Sequence, residues 1–355
     1  MAIIWADSFD HYGTTPSGGR TAMLKGAWAQ FTAGTGTLPF VSTTQKRTGD
    51  NSLAFTHQAG ATDNCTARRV VGTSKTVIGC GFGLYPGALH NLNKAWGIQF
   101  RNNANTNIIH VSVETDGSVA IYVAAASSPL IVSDPVIGVG SWNHVETKCV
   151  IDNVVGEIEV RVNGLTVIHL TNQNFGVNGC TQIAFGNFGG GNNNTWYFDD
   201  IVVWDDTTSY NNNFLGAQRV HTVFPTADTA QADWAVVGAA SGYEAIDDPA
   251  PDDDSTYISS GNAGEISEFA LGDLPPETDI IAGVYIPTLA KLEDAGIGNI
   301  QVSLVSGSSA SLGPDQVLTT AYTYWGGVHQ TDPDTSLPWT KSGFEASILR
   351  VEKTY

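Results

Sequence analysis

Two glutamates stand at i and i+2 in "GEIEVRVNG" (156–164), Glu157 and Glu159. On an extended strand alternate residues point the same way. Two carboxyl groups about 5 Å apart are what retaining glycoside hydrolysis requires, one as nucleophile and one as acid/base. Arg161 stands where a third acid would continue the series, and no sugar-stacking ring lies beside the pair on this strand. The pair therefore reads as solvent-facing strand charge, and no catalytic residue is assigned.

"WYFDDIVVWDD" (196–206) carries Asp199 and Asp200. Neighbouring strand residues face opposite sides, so at least one of these carboxylates is drawn inward. A buried carboxylate needs hydrogen bonds or a cation. Asp199 and Asp200 are accordingly candidates to hold a cation, with Asp200 tying down a neighbouring loop as the preferred reading. Asp247, Asp248, Asp252, Asp253 and Asp254 form a second acidic group. Pro249, Pro251 and the lack of a Gly-centred loop argue against an EF-hand, leaving a solvated loop that a neighbouring subunit can meet. His144, His169 and His221 lack HxH or HxxxH spacing and read as surface or satisfied strand residues. "FGNFGGGNNN" (185–194) has no Lys to hold a phosphate, and no cofactor is expected. Cys65, Cys80, Cys149 and Cys180 have no CxxC spacing and read as buried thiols, a disulfide remaining open.

The elements that position these residues are short strands. "KAWGIQFR" (94–101), "IIHVSVET" (108–115) and "SVAIYVA" (118–124) follow one another, with "TDG" turning between the last two. In "HVETKCVI" Val145, Thr147, Cys149 and Ile151 share one face, and His144, Glu146 and Lys148 the other. Asn163-Gly164 signals a hairpin turn. "DDTTSYNNNFLGAQ" (205–218) is polar and aperiodic, and strands then resume. One helical turn is expected near 340–346. The fold class is all-β, two β-sandwich domains at 1–205 and 219–355 joined by a linker at 206–218.

Composition agrees. The 355 residues are 42% hydrophobic and only 14% charged, with 39 Gly, which suits short strands and tight turns. A formal net charge of −19 makes nucleic acid and anionic membranes poor partners. "MAIIWADSFDHYG" has neither basic n-region nor apolar h-region, so no secretory signal is expected. The aromatics Trp28, Trp96, Trp196 and Trp204 are assigned to cores.

Trp142, His144-Val145-Glu146, Gly156 and the Asn163-Gly164 turn together resemble the concanavalin A-like lectin/glucanase superfamily in its laminin-G-like jelly-roll form. The resemblance implies that Trp142 and Val145 pack the sandwich, that Asn163-Gly164 closes a hairpin, and that Asp199 and Asp200 are the calcium candidates, at a rim of the sandwich. Residues 196–355 are similar to tailed-bacteriophage virion structural proteins. The order "WYFDDIVVWDD", "FLG", "RVHTVFP", Trp234, "DDDSTY", then "HQTDPDTSLPWTKSGFEASILRVEKTY" carries that likeness. It implies a particle component, a capsid decoration or tail-associated protein, located in the virion and not an enzyme. The implied partners are itself, as a cyclic oligomer with a trimer favoured, and other virion proteins. A module contacting a host surface glycan is the alternative.

Overall fold

Alternating side chains become two packed antiparallel sheets in the computed structural model, which describes residues 3–33, 37–57, 64–189, 193–278 and 280–355. The chain divides into two units. The first comprises Met1–Asp10, Thr14–Leu24 and Trp28–Val220, the second His11–Gly13, Lys25–Ala27 and His221–Tyr355. The segment read as a linker clusters with the first unit.

In the first unit, one sheet runs β13 (Leu165–Gln173), β12 (Gly156–Val162), β11 (Asn143–Val150), β6 (Val77–Pro86), β15 (Asn194–Asp205), β4 (Ser52–His57) and β3 (Phe40–Ser42), with β1 (Ile3–Asp7) beside β15. The other runs β10 (Ile131–Pro135), β9 (Ser118–Val123), β8 (Asn107–Val113), β7 (Trp96–Arg101), β14 (Cys180–Asn187), β5 (Cys65–Lys75) and β2 (Gln30–Ala33). Their inner faces supply the core. Ile158, Val160 and Val162 are buried while Glu157, Glu159 and Arg161 are half-buried, as the alternation requires. Trp96 and Trp196 stack at 4.8 Å, and Phe55, Phe82, Phe185 and Phe198 meet edge-on around them. Each such ring contributes roughly 1.5–3 kcal/mol by leaving water. Trp28 and Trp204 are also buried. This is the all-β, jelly-roll sandwich read from the sequence.

Asn163 and Gly164 both have positive φ, 51° and 83°, the conformation a two-residue hairpin turn demands. Val145 is in the core. Trp142 differs from expectation. It is half-buried on the outer side of its sheet, because it precedes β11 and its indole Nε1 donates to the Lys46 carbonyl. On β6 the residues between Ile78, Cys80, Phe82 and Leu84 are glycines, and a Cβ on Gly79 would sit 2.1 Å from the Trp204 indole. Only glycine lets that ring lie flat on the strand's backbone.

A short helix, α1 (Pro16–Met23), was not legible in the sequence, since Gly18 and Gly19 are poor helix formers. All four cysteines are free and buried, and burial pushes the Cys65 and Cys180 thiols up to about 12.

The second unit has a five-stranded sheet, β16 (Pro225–Ala232), β19 (Ile266–Leu271), β24 (Ile348–Lys353), β21 (Asn299–Ser306) and β22 (Ser309–Val317). Two ribbons accompany it, β17 (Ala235–Val237) with β18 (Tyr257–Ser259) and β20 (Val284–Ala290) with β23 (Thr323–His329). Ile286 from β20 packs on Phe269, Val302 and Val351 of the sheet, and on Leu304, Trp339 and Phe344. The expected helical turn is α2 (Lys341–Glu345), capped by the Thr340 hydroxyl, which accepts from the Gly343 amide.

Burial also sets a pH dependence. Desolvation pushes the His110 imidazole down to about 3, with the Lys94 and Arg101 charges adding to it. A histidine depressed in the folded state binds fewer protons than in the unfolded chain, so stability is lost as pH falls from about 6.5 toward 3. Each pH unit in that window is worth up to roughly 1.4 kcal/mol. Urea midpoints of the wild type and His110→Gln, measured from pH 7 to pH 4, are expected to converge with acidification. A difference that stays constant across the window contradicts this.

Candidate functional site

Asp199 and Asp200 do not face opposite sides. The β15–β6 register shifts between Asp199 and Val202, and Asp200 takes φ 51°, so both carboxylates turn onto the same two residues. Asp199 Oδ2 accepts from the Arg47 and Thr48 amides at 2.7 and 3.2 Å, and its Oδ1 from the Asp200 amide at 2.7 Å. Asp200 Oδ2 accepts from Arg47 Nη1 at 2.7 Å and the Thr48 hydroxyl at 2.9 Å. Its Oδ1 accepts from the Val220 amide at 2.8 Å, and Arg219 Nη1 stands 3.5 Å from Oδ2. Every carboxylate oxygen of the calcium candidates is thus engaged by a protein donor. Burial, then the Asp200 charge, pushes Asp199 up from the ordinary carboxylate value. The tie between Asp200 and a neighbouring segment is what the bulge builds.

The outer face of β11 is covered as well. Glu146, 1% exposed, accepts from the Leu215 and Gly216 amides, both at 2.9 Å. His144 lies 3.7 Å from it, with neither ring nitrogen hydrogen-bonded among the described residues. Residues 214–220 therefore form a strap fastened to the sheet by Glu146 and Asp200.

Glu157 and Glu159 are held by cross-strand and same-strand partners. His169 Nε2 lies 2.9 Å from Glu157, and Arg161 Nε and the Thr166 hydroxyl each donate to Glu159 at 2.7 Å. Glu157, Glu159 and His169 bring ligand atoms within 4.8 Å of one another, a set that could hold a cation. Arg161, stacked 3.8 Å from the Phe214 ring, opposes that with its own charge. In the second unit the acidic loop is tied internally: Asp253 pairs with Lys25, Asp254 with Lys291 at 2.5 Å, and Asp252 accepts from the Thr256 hydroxyl at 2.8 Å. Of the 185–194 loop, residues 190–192 lie outside the described residues.

What the sequence reading missed is an aromatic row on the outer face of the first sheet. The register sets Phe40 opposite Ala54, Ala54 opposite Tyr197, and Tyr197 opposite Tyr85. Trp142 completes the row at the entry to β11. Tyr85 lies 5.9 Å from Tyr197 and 5.6 Å from Trp142, in edge-on contacts. Phe40, Tyr85, Trp142 and Tyr197 are all half-buried, and the paired hydroxyls of Thr56 and Thr195 lie one step along the same two strands. Burial, then the neighbouring Tyr85, raises the Tyr197 phenol, so it stays protonated and able to donate. Ring faces with phenol and threonine hydroxyls at hand suit a ligand that is apolar on its faces and hydroxylated at its rim. Alternation in "GLYP" and "WYFDD" places Tyr85 and Tyr197 opposite the core residues, which is the signal that was available.

No known protein family matches the chain, and no curated protein is similar to it in sequence. Solved structures do match in fold. The cellulose induced protein Cip1 is 16% identical, covering 56% of this chain and 96% of its own, with a TM-score of 0.44. Alginate lyase Aly36B is 14% identical over 57% of this chain and 96% of its own, TM-score 0.42. The carbohydrate binding module CBM66 from Bacillus subtilis is 14% identical over 43% of this chain and 86% of its own, TM-score 0.31. These are jelly-roll folds of carbohydrate-binding and polysaccharide-lyase proteins, and at such identities the likeness is one of fold. The expectation that the chain is not an enzyme is corrected here: alginate lyases stand among the matches, so this architecture carries catalysis elsewhere.

Proposed function

We propose that the chain is a glycan-contacting component of a tailed-bacteriophage particle, oligomeric, using its first sandwich to meet a surface polysaccharide of the host. The aromatic row of Phe40, Tyr197, Tyr85 and Trp142 carries the glycan part of this reading. Sugar rings lay their C–H faces on such side chains, and their hydroxyls reach the phenol and threonine groups alongside. Individual contacts of this kind are weak, and repetition over the copies of an oligomer raises the avidity.

The particle part is supported by the order of motifs between residues 196 and 355. Net charge −19 suits a subunit that stays dissolved at high copy number until it docks. Mass spectrometry of purified particles tests it: the account expects this chain in intact virions, and its absence from them removes the particle reading. Titration with host polysaccharide tests the glycan reading separately.

A further inference from the structure

We infer that the outer face of the second sheet is a separate site for an acidic sugar, a pyranose bearing a carboxylate or a sulfate. Register places Arg68, Ala184, Gln99, His110 and Tyr122 in one line across β5, β14, β7, β8 and β9. Two residues on from Gln99, Arg101 lies opposite Gln182 on the same face. Arg101 Nε donates to Gln99 Oε1 at 2.9 Å and Nη1 to Asn105 at 2.9 Å. Lys94 sits 5.0 Å from the Tyr122 ring, and the Tyr122 hydroxyl donates to Glu114 at 3.1 Å. This face thus carries three cations, Arg68, Arg101 and Lys94, and one carboxylate, Glu114, at its far end, on a chain whose net charge is −19. Such a concentration of positive charge against the trend of the whole molecule calls for an anion.

The unpaired atoms specify more. His110 is 0% exposed, and neither ring nitrogen is hydrogen-bonded among the described residues. Gln182 Oε1 and Arg68 Nε are likewise buried with no hydrogen-bond partner among the described residues. Buried polar atoms left unpaired are costly, and a ligand on this face would complete their bonding. Arg68 Nε–H and one imidazole N–H seek acceptor oxygens, while Gln182 Oε1 and the other imidazole nitrogen seek hydroxyl donors. A group that brings a negative charge and neighbouring hydroxyls satisfies both demands. Phe188 covers His110 edge-on at 4.9 Å and takes a cation–π contact from Arg101 at 5.8 Å. The inferred site requires Phe188 to swing aside for the imidazole to reach the sugar.

Calorimetric titration of the full chain with a uronic-acid oligosaccharide, a sulfated oligosaccharide and a neutral one tests this. Binding of either acidic ligand is expected, weakening at raised ionic strength and by about tenfold or more in Arg68→Gln and in Arg101→Gln, with Arg101→Lys retaining part of it. The stronger of the two acidic ligands identifies the charged group. Because Arg68 lies at the half-exposed rim, Arg68→Gln decides the matter if Arg101→Gln does not fold. No binding of either acidic ligand at millimolar concentration overturns the inference, as does unchanged affinity in the Arg68 variant. Trp142→Ala should leave this binding intact; if it abolishes it, the acidic sugar sits on the aromatic row and the second site is refuted.

Discussion

Asp200→Ala is expected to destabilise the first unit by about 3–5 kcal/mol, the usual cost of removing one member of a buried ion pair. Arg47 and Asp200 have side chains only 5% and 0% exposed, so the guanidinium would be left without its counter-charge. Burial already draws Arg47 below its ordinary pKa, and the Asp200 charge works against that. The substitution also strips an acceptor from the Thr48 hydroxyl and the Val220 amide, and places alanine at φ 51°, where Asp is better tolerated. Asp200→Asn keeps the shape and the left-handed backbone while removing the charge and turning one of the two accepting oxygens into a donor, so it separates the backbone contribution from the rest. Arg47→Ala with Asp200→Ala together should cost less than the sum of the two, because the pair acts as a unit. Urea unfolding measures all of this, and hydrogen exchange at Val220 should rise in the Asp200 variants. A loss below about 1 kcal/mol in Asp200→Ala would show that the bulge, not the ion pair, holds the strap.

The second large effect falls on binding. Trp142→Ala is expected to weaken host polysaccharide binding by about tenfold or more, equivalent to about 1.4 kcal/mol or greater. The indole is half-buried and outside the sandwich core, so unfolding should change far less than binding does. Trp142→Phe keeps a stacking face but loses the Nε1–H bond to Lys46, and should fall between the two. Tyr85 touches both Tyr197 and Trp142, so Tyr85→Ala should match or exceed the Trp142 effect. Unaltered affinity in both alanine variants would move the glycan site elsewhere.

The sandwich was legible because period-two alternation is a property of single strands. Ile158, Val160 and Val162 could be assigned inward without knowing any neighbour. What lies over the outer face was not, because it depends on register and on distant segments. His144 and Glu146 point away from the core as their alternation says, yet they are buried, since the 214–220 strap crosses them. Nothing in "DDTTSYNNNFLGAQ" announces that its Leu215 and Gly216 amides will find a glutamate 69 and 70 residues earlier. Asp199 and Asp200 were marked as special, but the bulge that turns both onto Arg47 and Thr48 is a backbone event. The aromatic row draws on four segments spread between residues 40 and 197, so only strand pairing aligns its rings, and Trp142 was expected in the sandwich packing instead.

A crystal structure of the chain with a bound host-derived oligosaccharide decides whether the aromatic row is the glycan site. A sugar ring is expected on the row of Tyr197, Tyr85 and Trp142 at the outer face of the first sheet. A sugar bound at another place with that row bare, at ligand concentrations that saturate the protein, would contradict it.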